Sequence, residues 1–530
     1  MAGGAGVRAL LTGRSIAGNY LGLFFACLQA EADGFTRSGE NGCLVEHSGG
    51  AGNRHSAIHL KNRRRFTHYP MSGKMLYDQL EKDEDKAMKL YSDGDSDARM
   101  GEPGRWASGS LAALTLLTVI YATPNAAAAP ALRTIHSFAA TPADGSNPSD
   151  LILGAYGVLY GVTQDGGANQ LGAVFSMTPP ASPGLGWTET VLYSFTGLNG
   201  QGTTPFGIVT KPGGGLYGFT GFGGNSGDPC GGGCGTLFSL TPPASPGGAW
   251  TEATLYSFTG GSDGFFPSSL ILSGGILYGT VDTQNGFGQV FSLTPPENRA
   301  GTWRYTVLYS PPNPGNAALP LDILMGADGV LYGTIEMGVY GGVFSLTPPA
   351  PPAGAWTYAA VYAFAGGSDA NAPNGLTAGS LSGDHPILYG TSDQGGTGSC
   401  HLGCGTIFSL TPPVSPGGPW TEAVLYSFQG ADDGEQPVAG VTIGSDGVLY
   451  ATATAGGLGT GTGNGFGTVI SLTPSSSPSA PWTADVLAQF DYTDGARPSA
   501  RVVIGSGGTL YGITFRGGAF EDGTVYKLKP

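Results

Sequence analysis

Residues 158–195 read VLYGVTQDGGANQLGAVFSMTPPASPGLGWTETVLYSF. This stretch holds three short runs rich in β-branched and aromatic residues, 158–163, 173–177 and 187–195, each bounded by Gly, Pro or Asp clusters. Runs of that length and composition, punctuated in that way, are β-strands. A fourth run, Leu151-Ile152-Leu153, precedes them. We label the four a, b, c and d in chain order. Strand d alternates, with Thr188, Thr190, Leu192 and Ser194 on one side and Glu189, Val191, Tyr193 and Phe195 on the other. No part of this unit carries a helical period.

The unit recurs. The Leu-Tyr core of strand b returns at Tyr217, Tyr278, Tyr332, Tyr389, Tyr450 and Tyr511, with spacings of 57, 61, 54, 57, 61 and 61 counted from Tyr160. Gly follows each of these Tyr except Tyr450. The strand-c core returns at Phe238, Phe291, Phe344, Phe408, Ile470 and Tyr526. Strand d is led by Trp187, Trp250, Trp303, Trp356, Trp420 and Trp482. A fixed period of four short strands is the signature of a β-propeller, in which each repeat is one radial blade.

The count implies closure. Strands b and c occur seven times, whereas the Trp-led strand d occurs six times, because the seventh strand c runs out at Pro530. Leu132-Arg133-Thr134-Ile135-His136-Ser137-Phe138, ahead of the first strand a, matches the missing strand d. The sequence therefore predicts an all-β, seven-bladed propeller of four-stranded antiparallel blades, with residues 132–138 completing the last blade. Such a ring hides its sheet edges.

The paired motifs Leu-Tyr-Gly-x-Thr-x-x-Gly-Gly and Gly-Thr-Val-Phe-Ser-Leu-Thr-Pro, seen nearly intact at 388–396 and 405–412, resemble the GloVer tandem repeat of bacterial choice-of-anchor surface proteins. The likeness spans about 132–530. It implies bacterial export and a repeat architecture, and no activity. Some proteins of that kind finish in an anchor, whereas Lys527-Leu528-Lys529-Pro530 is not apolar; a soluble product is the expectation.

Composition narrows the partners. Gly is 94 of 530 residues and charged residues are 12%, yet 40% are hydrophobic, enough for a core. Residues 1–105 hold 14 Lys+Arg and 13 Asp+Glu, a net of +1; residues 106–530 hold 9 and 25, a net of −16. Nucleic-acid binding needs clustered cations, which the acidic body lacks. Anionic lipid would repel it too.

The first hundred residues are of a different kind, with Arg63-Arg64-Arg65, a mixed-charge run from Glu81 to Lys89, and no repeat. Met100, Arg105, the apolar run Leu111 to Tyr121 and Ala126-Ala127-Ala128-Ala129 then have the order of a secretory signal. The run is short for a membrane span. The expected organisation is 1–99 as a disordered extension or as sequence upstream of a true start at Met100, 100–129 as a signal or apolar segment, and 130–530 as the propeller. The localisation implied is secreted, periplasmic or cell-surface.

Cysteine usage agrees with export. Cys230-Gly-Gly-Gly-Cys234 and Cys400-His-Leu-Gly-Cys404 occupy the same place in repeats two and five, and are expected to close small disulfide loops. Two thiolates would be half of a tetrahedral metal set.

Functional residues are sparse. In a propeller the d–a and b–c loops emerge on one face and the a–b and c–d loops on the other. The a–b turns, such as Asp328-Gly329 and Asp446-Gly447, and the Pro-rich c–d loops read as stiff connectors. The d–a loops carry Asp144-Gly145, Asp263-Gly264, Asp433-Gly434 and Asp494-Gly495, where Asp either caps its own turn or binds an ion. Asp432, Asp433 and Glu435 cluster enough to be a weak calcium candidate. No other cofactor is implied. In the b–c loops, Asp282, Glu336 and Asp393 each lie four residues after the strand-b Tyr in three consecutive repeats. They form a candidate ligand-binding patch near the central opening. Asp165 and Arg516 lie one position further on. His136, His385 and His401 have no partner at metal-ligand spacing, and neither a nucleophile elbow nor a phosphate loop is present. The expected function is a secreted or surface binding module for an extracellular polysaccharide or protein. The alternatives are a propeller enzyme acting on an extracellular polymer through acids near the opening, and a structural envelope protein.

Overall fold

The computed structural model describes 130–530 except for 183, 225–229, 246, 284–285, 299–300, 312–317, 351–353, 416, 459–464 and 476–479, together with the strands Cys43–His47 and Ser56–Leu60. The latter two pair antiparallel in a separate unit, Met1–Leu114. The expected signal segment and alternative start at 100–129 lie outside the described residues.

The body is a seven-bladed β-propeller. Each blade is a four-stranded antiparallel sheet in the order a-b-c-d. Blade 1 runs from Gly145 to Ser194, blade 2 from Gly202 to Ser257, blade 3 from Phe265 to Tyr309, blade 4 from Ala318 to Ala363, blade 5 from Ala370 to Ser427 and blade 6 from Thr442 to Gln489. Blade 7 takes Val503–Ile504, Leu510–Thr514 and Thr524–Lys529 from the end of the repeats and Ala131–Ser137 from before them. That last strand pairs antiparallel with Thr524–Lys529, Leu132 opposite Leu528 and Thr134 opposite Tyr526. Its fourth strand thus comes from the stretch the sequence nominated. Among the described residues the helical turns are two short 3-10 pieces, Ala155–Gly157 and Ser506–Gly508.

The a strands of successive blades contact one another and line the axis, which leaves the d strands outermost. Two aromatic joints tie blade to blade. The Trp that leads strand d packs edge-to-face on the strand-b Tyr of the preceding blade: Trp187 on Tyr511, Trp250 on Tyr160, Trp303 on Tyr217, Trp356 on Tyr278, Trp420 on Tyr332 and Trp482 on Tyr389. At the interface between blades 6 and 7, Leu132 and Tyr450 instead both pack on the buried cluster of Phe490, Tyr526 and Leu528. Deeper in, the Phe ending one d strand meets the strand-c aromatic of the next blade, as in Phe138 with Phe175 and Phe364 with Phe408. Edge-to-face pairs of this kind add about 0.5–1.5 kcal/mol beyond the area they bury.

The strand-b Gly is explained by the ring across the ladder. A Cβ on Gly161 would lie 2.3 Å from Phe175 Cζ, its cross-strand partner, and Gly390 stands in the same relation to Phe408. Tyr450 is followed by Ala451, and there the partner is Ile470, which has no ring to clash.

The alternation expected for strand d is broken. In each blade the c–d ladder slips by one residue; in blade 1, Val174 pairs with Tyr193 but Phe175 with Val191, leaving Leu192 as a bulge. The same shift recurs at Leu255, Leu308, Val361, Leu425, Leu487 and Ile135. The period-two reading fails there because one extra residue turns the rest of the strand over, so Leu192 and Tyr193 both pack in the joint between blades 1 and 2.

Both cysteine pairs are disulfides, Cys230–Cys234 and Cys400–Cys404. No helix among the described residues is long and apolar enough to cross a membrane.

Candidate functional site

The d–a loops hold themselves together. Asp144 accepts from the backbone N–H of Ala139 and Gly145 and lies 3.1 Å from His136 Nε2. Asp263 accepts from Thr259 N, Thr259 Oγ1 and Tyr256 OH, and Asp433 from Gln429 N and Tyr426 OH. These are turn-closing carboxylates, each bound to its own loop and its own strand d.

The weak calcium trio is therefore dispersed. Asp433 serves its loop, the exposed Asp432 offers its carbonyl to Gln489 Nε2, and Glu435 Oε2 stands 2.8 Å from Cys400 Sγ. Among the described residues, the group of three potential ligands gathered closely enough to share an ion is Glu435 with Cys400 and Cys404. Their disulfide removes the thiolates that a metal would need. Of the histidines, His385 Nδ1 lies 2.8 Å from Asp328 Oδ2 and 3.0 Å from Tyr332 OH on the a–b face, and His401 is exposed on a loop.

The b–c patch is brought together. Asp282, Glu336 and Asp393 come from blades 3, 4 and 5, at matching positions at the end of strand b. All three are half-buried at the axial mouth of the d–a/b–c face. Burial pushes Asp282 up to about 7, with the charge of Glu336 adding to it. Burial likewise lifts Glu336 to about 7, helped by Asp393. Asp393 is raised by burial to about 6, and Asn374 Nδ2, which donates to it at 2.8 Å, pulls the other way. Each carboxylate thus feels the next. Raised carboxyls are not confined to the mouth, since Glu189 and Glu422 also sit near 7, again chiefly through burial, on outer d strands.

Beside the acids lies an aromatic patch. Phe265 stands directly across the ladder from Asp282, which places their Cβ atoms on one face of the sheet. Its ring is 5.2 Å from that of Phe266, which in turn meets Phe222 edge-on at 4.7 Å. Phe266 has φ 51°, a left-handed conformation that a bulky side chain rarely takes. It belongs to a set: Asn147, Thr204, Ala372, Gln436 and Arg497 share the left-handed backbone, each just before the strand-a Pro. The amide of each bonds the b–c loop of the preceding blade, for example Phe266 N to Cys234 O at 3.0 Å.

On the other side of the ring, blades 7 and 1 hold buried polar atoms without hydrogen-bond partners: Gln164 Nε2, Asn147 Oδ1 and Ser499 Oγ. Gln164 is 9% exposed and holds in blade 1 the strand position that Asp282 holds in blade 3.

The mouth has a floor. Arg501 of blade 7 reaches across the axis to blade 4, where Nη2 donates to Asp322 Oδ2 at 2.7 Å; its Nη1 donates to Thr377 Oγ1 of blade 5 at 2.9 Å. Blades 5 and 6 clear the way with glycine, since a Cβ on Gly375 would lie 2.7 Å from Arg501 Nη2 and one on Gly440 2.8 Å from its Cζ. Asp322 also accepts from Ser269 Oγ, Ile323 N and Leu376 N. Three residues of strand separate this layer from the mouth, about 10 Å. The channel is a cup with an ion-paired base. A different cavity, about 430 Å³, opens toward the a–b face between Val209, Lys211 and Leu272, away from these carboxylates.

Sequence reasoning found the acids by their fixed offset from the Tyr. It missed Arg501, whose signal was available: the residues one before the strand-a aliphatic, Asp150, Gly207, Ser269, Asp322, Gly375, Gly440 and Arg501, form a ring when the repeats are stacked.

Comparison with known proteins gives a family. The model of the Gloeobacter/Verrucomicrobia repeat matches residues 118–287 and 379–530. No curated protein matches significantly. Among solved structures, the chain is similar to the extracellular domain of a putative hybrid two-component system from B. thetaiotaomicron, at 10% identity and TM-score 0.43, over 75% of this chain and 39% of that one. It is also similar to a putative oxidoreductase (glucose dehydrogenase) from Thermus thermophilus, at 18% identity and TM-score 0.36, over 61% and 96%. A third is the GH93 α-L-arabinofuranosidase of Fusarium graminearum, at 12% identity and TM-score 0.35, over 62% and 91%. This chain spans about two fifths of the first of these domains, and likenesses at this level carry no function across.

Proposed function

The chain belongs to the Gloeobacter/Verrucomicrobia repeat family, and from that premise we propose that it is an exported propeller that binds an extracellular ligand, polysaccharide or protein, in the axial cup of its d–a/b–c face. The observation that carries this reading is the convergence of Asp282, Glu336 and Asp393 above a closed floor. Desolvated like charges destabilise the fold, and proteins keep such arrangements at sites where a partner compensates them. The two disulfides support an oxidising compartment. Residues 100–129 serve as the export signal and 130–530 as the mature body in this reading.

Catalysis by the same acids is the second reading, favoured by carboxyls held near neutrality. Carboxylate catalysis of glycoside cleavage needs one raised acid beside one that stays firmly ionised. All three at the mouth are raised, so binding is the better match. The test is capture of extracellular polysaccharides and proteins on the immobilised full chain, with calcium and with chelator, by wild type and by Asp282→Asn/Glu336→Gln/Asp393→Asn. Ligand held by the wild type and released by the triple variant supports the cup. Equal capture by both, or turnover of a captured polymer, overturns it.

A further inference from the structure

Three ligand chemistries could neutralise an acidic cup: a metal ion, an organic cation, or a chain of hydroxyl donors. The geometry separates them. A single ion needs its oxygens gathered, and among the described residues Asp282, Glu336 and Asp393 do not bring three ligand atoms within 4.8 Å of one another. They are a row spread over three blades, suited to something longer than an ion. An organic cation would satisfy the row but not the opposite wall. There Gln164, 9% exposed, keeps a buried amide N–H donor without a hydrogen-bond partner at the level of the acids. It does so from the strand position that the acids occupy in their own blades. An ammonium group has no lone pair to offer that donor. A hydroxyl both donates and accepts, so a polyol satisfies the acids on one side and Gln164 on the other.

The aromatic patch completes the match. Phe265 shares a sheet face with Asp282, and Phe266 continues the apolar surface beside it. Sugar rings present C–H faces to aromatic side chains and hydroxyl edges to carboxylates, and this mouth sets the two kinds of surface side by side. We propose that the cup takes a neutral oligosaccharide, with its hydroxyls donating to Asp282, Glu336 and Asp393, one hydroxyl oxygen accepting from Gln164, and a sugar face against Phe265 and Phe266. The inference rests on the cup being the binding site.

The test is titration calorimetry on the full chain with four probes: a panel of neutral oligosaccharides, spermidine, calcium chloride, and acidic oligosaccharides as the like-charge control. A neutral oligosaccharide binds, and Asp282→Asn/Glu336→Gln/Asp393→Asn weakens it by about tenfold or more, because charge-assisted acceptors are lost. Gln164→Ala weakens it by about three- to tenfold for one neutral hydrogen bond. Phe265→Ala is a third lever that leaves the charges in place. Thermal melts of each variant separate lost binding from lost fold. Spermidine or calcium binding that the triple variant abolishes, with no neutral sugar bound, overturns the oligosaccharide and leaves the cup standing. An oligosaccharide held equally by wild type and triple variant, or no probe bound beside a protein ligand indifferent to the triple variant, overturns both.

Discussion

The joints between blades and the rim of the cup follow opposite rules. At the joints the same residues recur: a Trp on the preceding blade's Tyr in six interfaces, and a strand-b Gly under a strand-c ring in six blades. At the rim the equivalent strand-b positions read Gln164, Gly221, Asp282, Glu336, Asp393, Thr454 and Phe515, acidic in three consecutive blades and different in each of the other four. A joint sees nearly the same neighbour in every blade, so one solution serves throughout. The rim faces the axis, where anything bound meets seven blades from seven directions. The fold's stability is repeated around the ring, and its recognition surface is written once.

The largest blow to that division is removal of strand 131–137. Deleting 130–138 strips blade 7 of its outer strand and bares the edge of Thr524–Lys529; the melting temperature should fall by about 10 °C or more, with aggregation. An unchanged melt would show that the joints hold without closure. Next in size is a single joint. Trp420→Ala should cost about 2–4 kcal/mol for a half-buried Trp, and the equivalent change at any of the six should cost about the same. A scatter as wide as the effect would break the claim that the joints are equivalent.

Arg501→Met comes third. It strands Asp322 among its remaining donors, at about 1–3 kcal/mol for a half-buried pair, read from urea midpoints. The double change Arg501→Met/Asp322→Leu should recover much of the loss. If the single variant is neutral, the ion pair is decoration on a floor held by packing.

The smallest effect has the opposite sign. Asp282, Glu336 and Asp393 titrate higher in the folded chain than in the unfolded one, so the folded state binds extra protons and stability declines as pH rises from about 4 to about 7. The isosteric triple variant escapes that penalty. Its melting temperature should exceed the wild type's by about 1–4 °C at pH 8, and the gain should vanish as pH approaches 4. A variant less stable at pH 8 would mean that the row is compensated within the fold and faces no ligand.

Most of the architecture could be read from the repeat, because blade number, strand order and closure depend on local pattern and on counting. The acidic row could be read for the same reason, as a fixed offset from Tyr278, Tyr332 and Tyr389. Features that join distant blades could not. Arg501 and Asp322 lie 179 residues apart, and their pairing depends on glycines in two intervening blades. The bulge at Leu192 stayed hidden because the alternation from Thr188 to Phe195 looks the same in sequence whether or not a residue has been slipped in. The pairing of Phe265 with Asp282 needed a ladder register, and the d–a carboxylates needed their Tyr partners, before either could be seen.

Pairing of Ala131–Ser137 with Thr524–Lys529 sets a clock on biogenesis. The strand that locks the ring is made first and must wait for the strand made last, so no nascent propeller can latch until nearly four hundred residues have followed. The joint that will form between blades 6 and 7 is the one without a Trp, and it relies on Phe490 against Tyr526, on Leu132 in the same cluster and on the ladder itself. A polypeptide interrupted in blade 7 would carry an orphaned strand at its front and an open sheet at its back, a form that proteases can tell from a finished product.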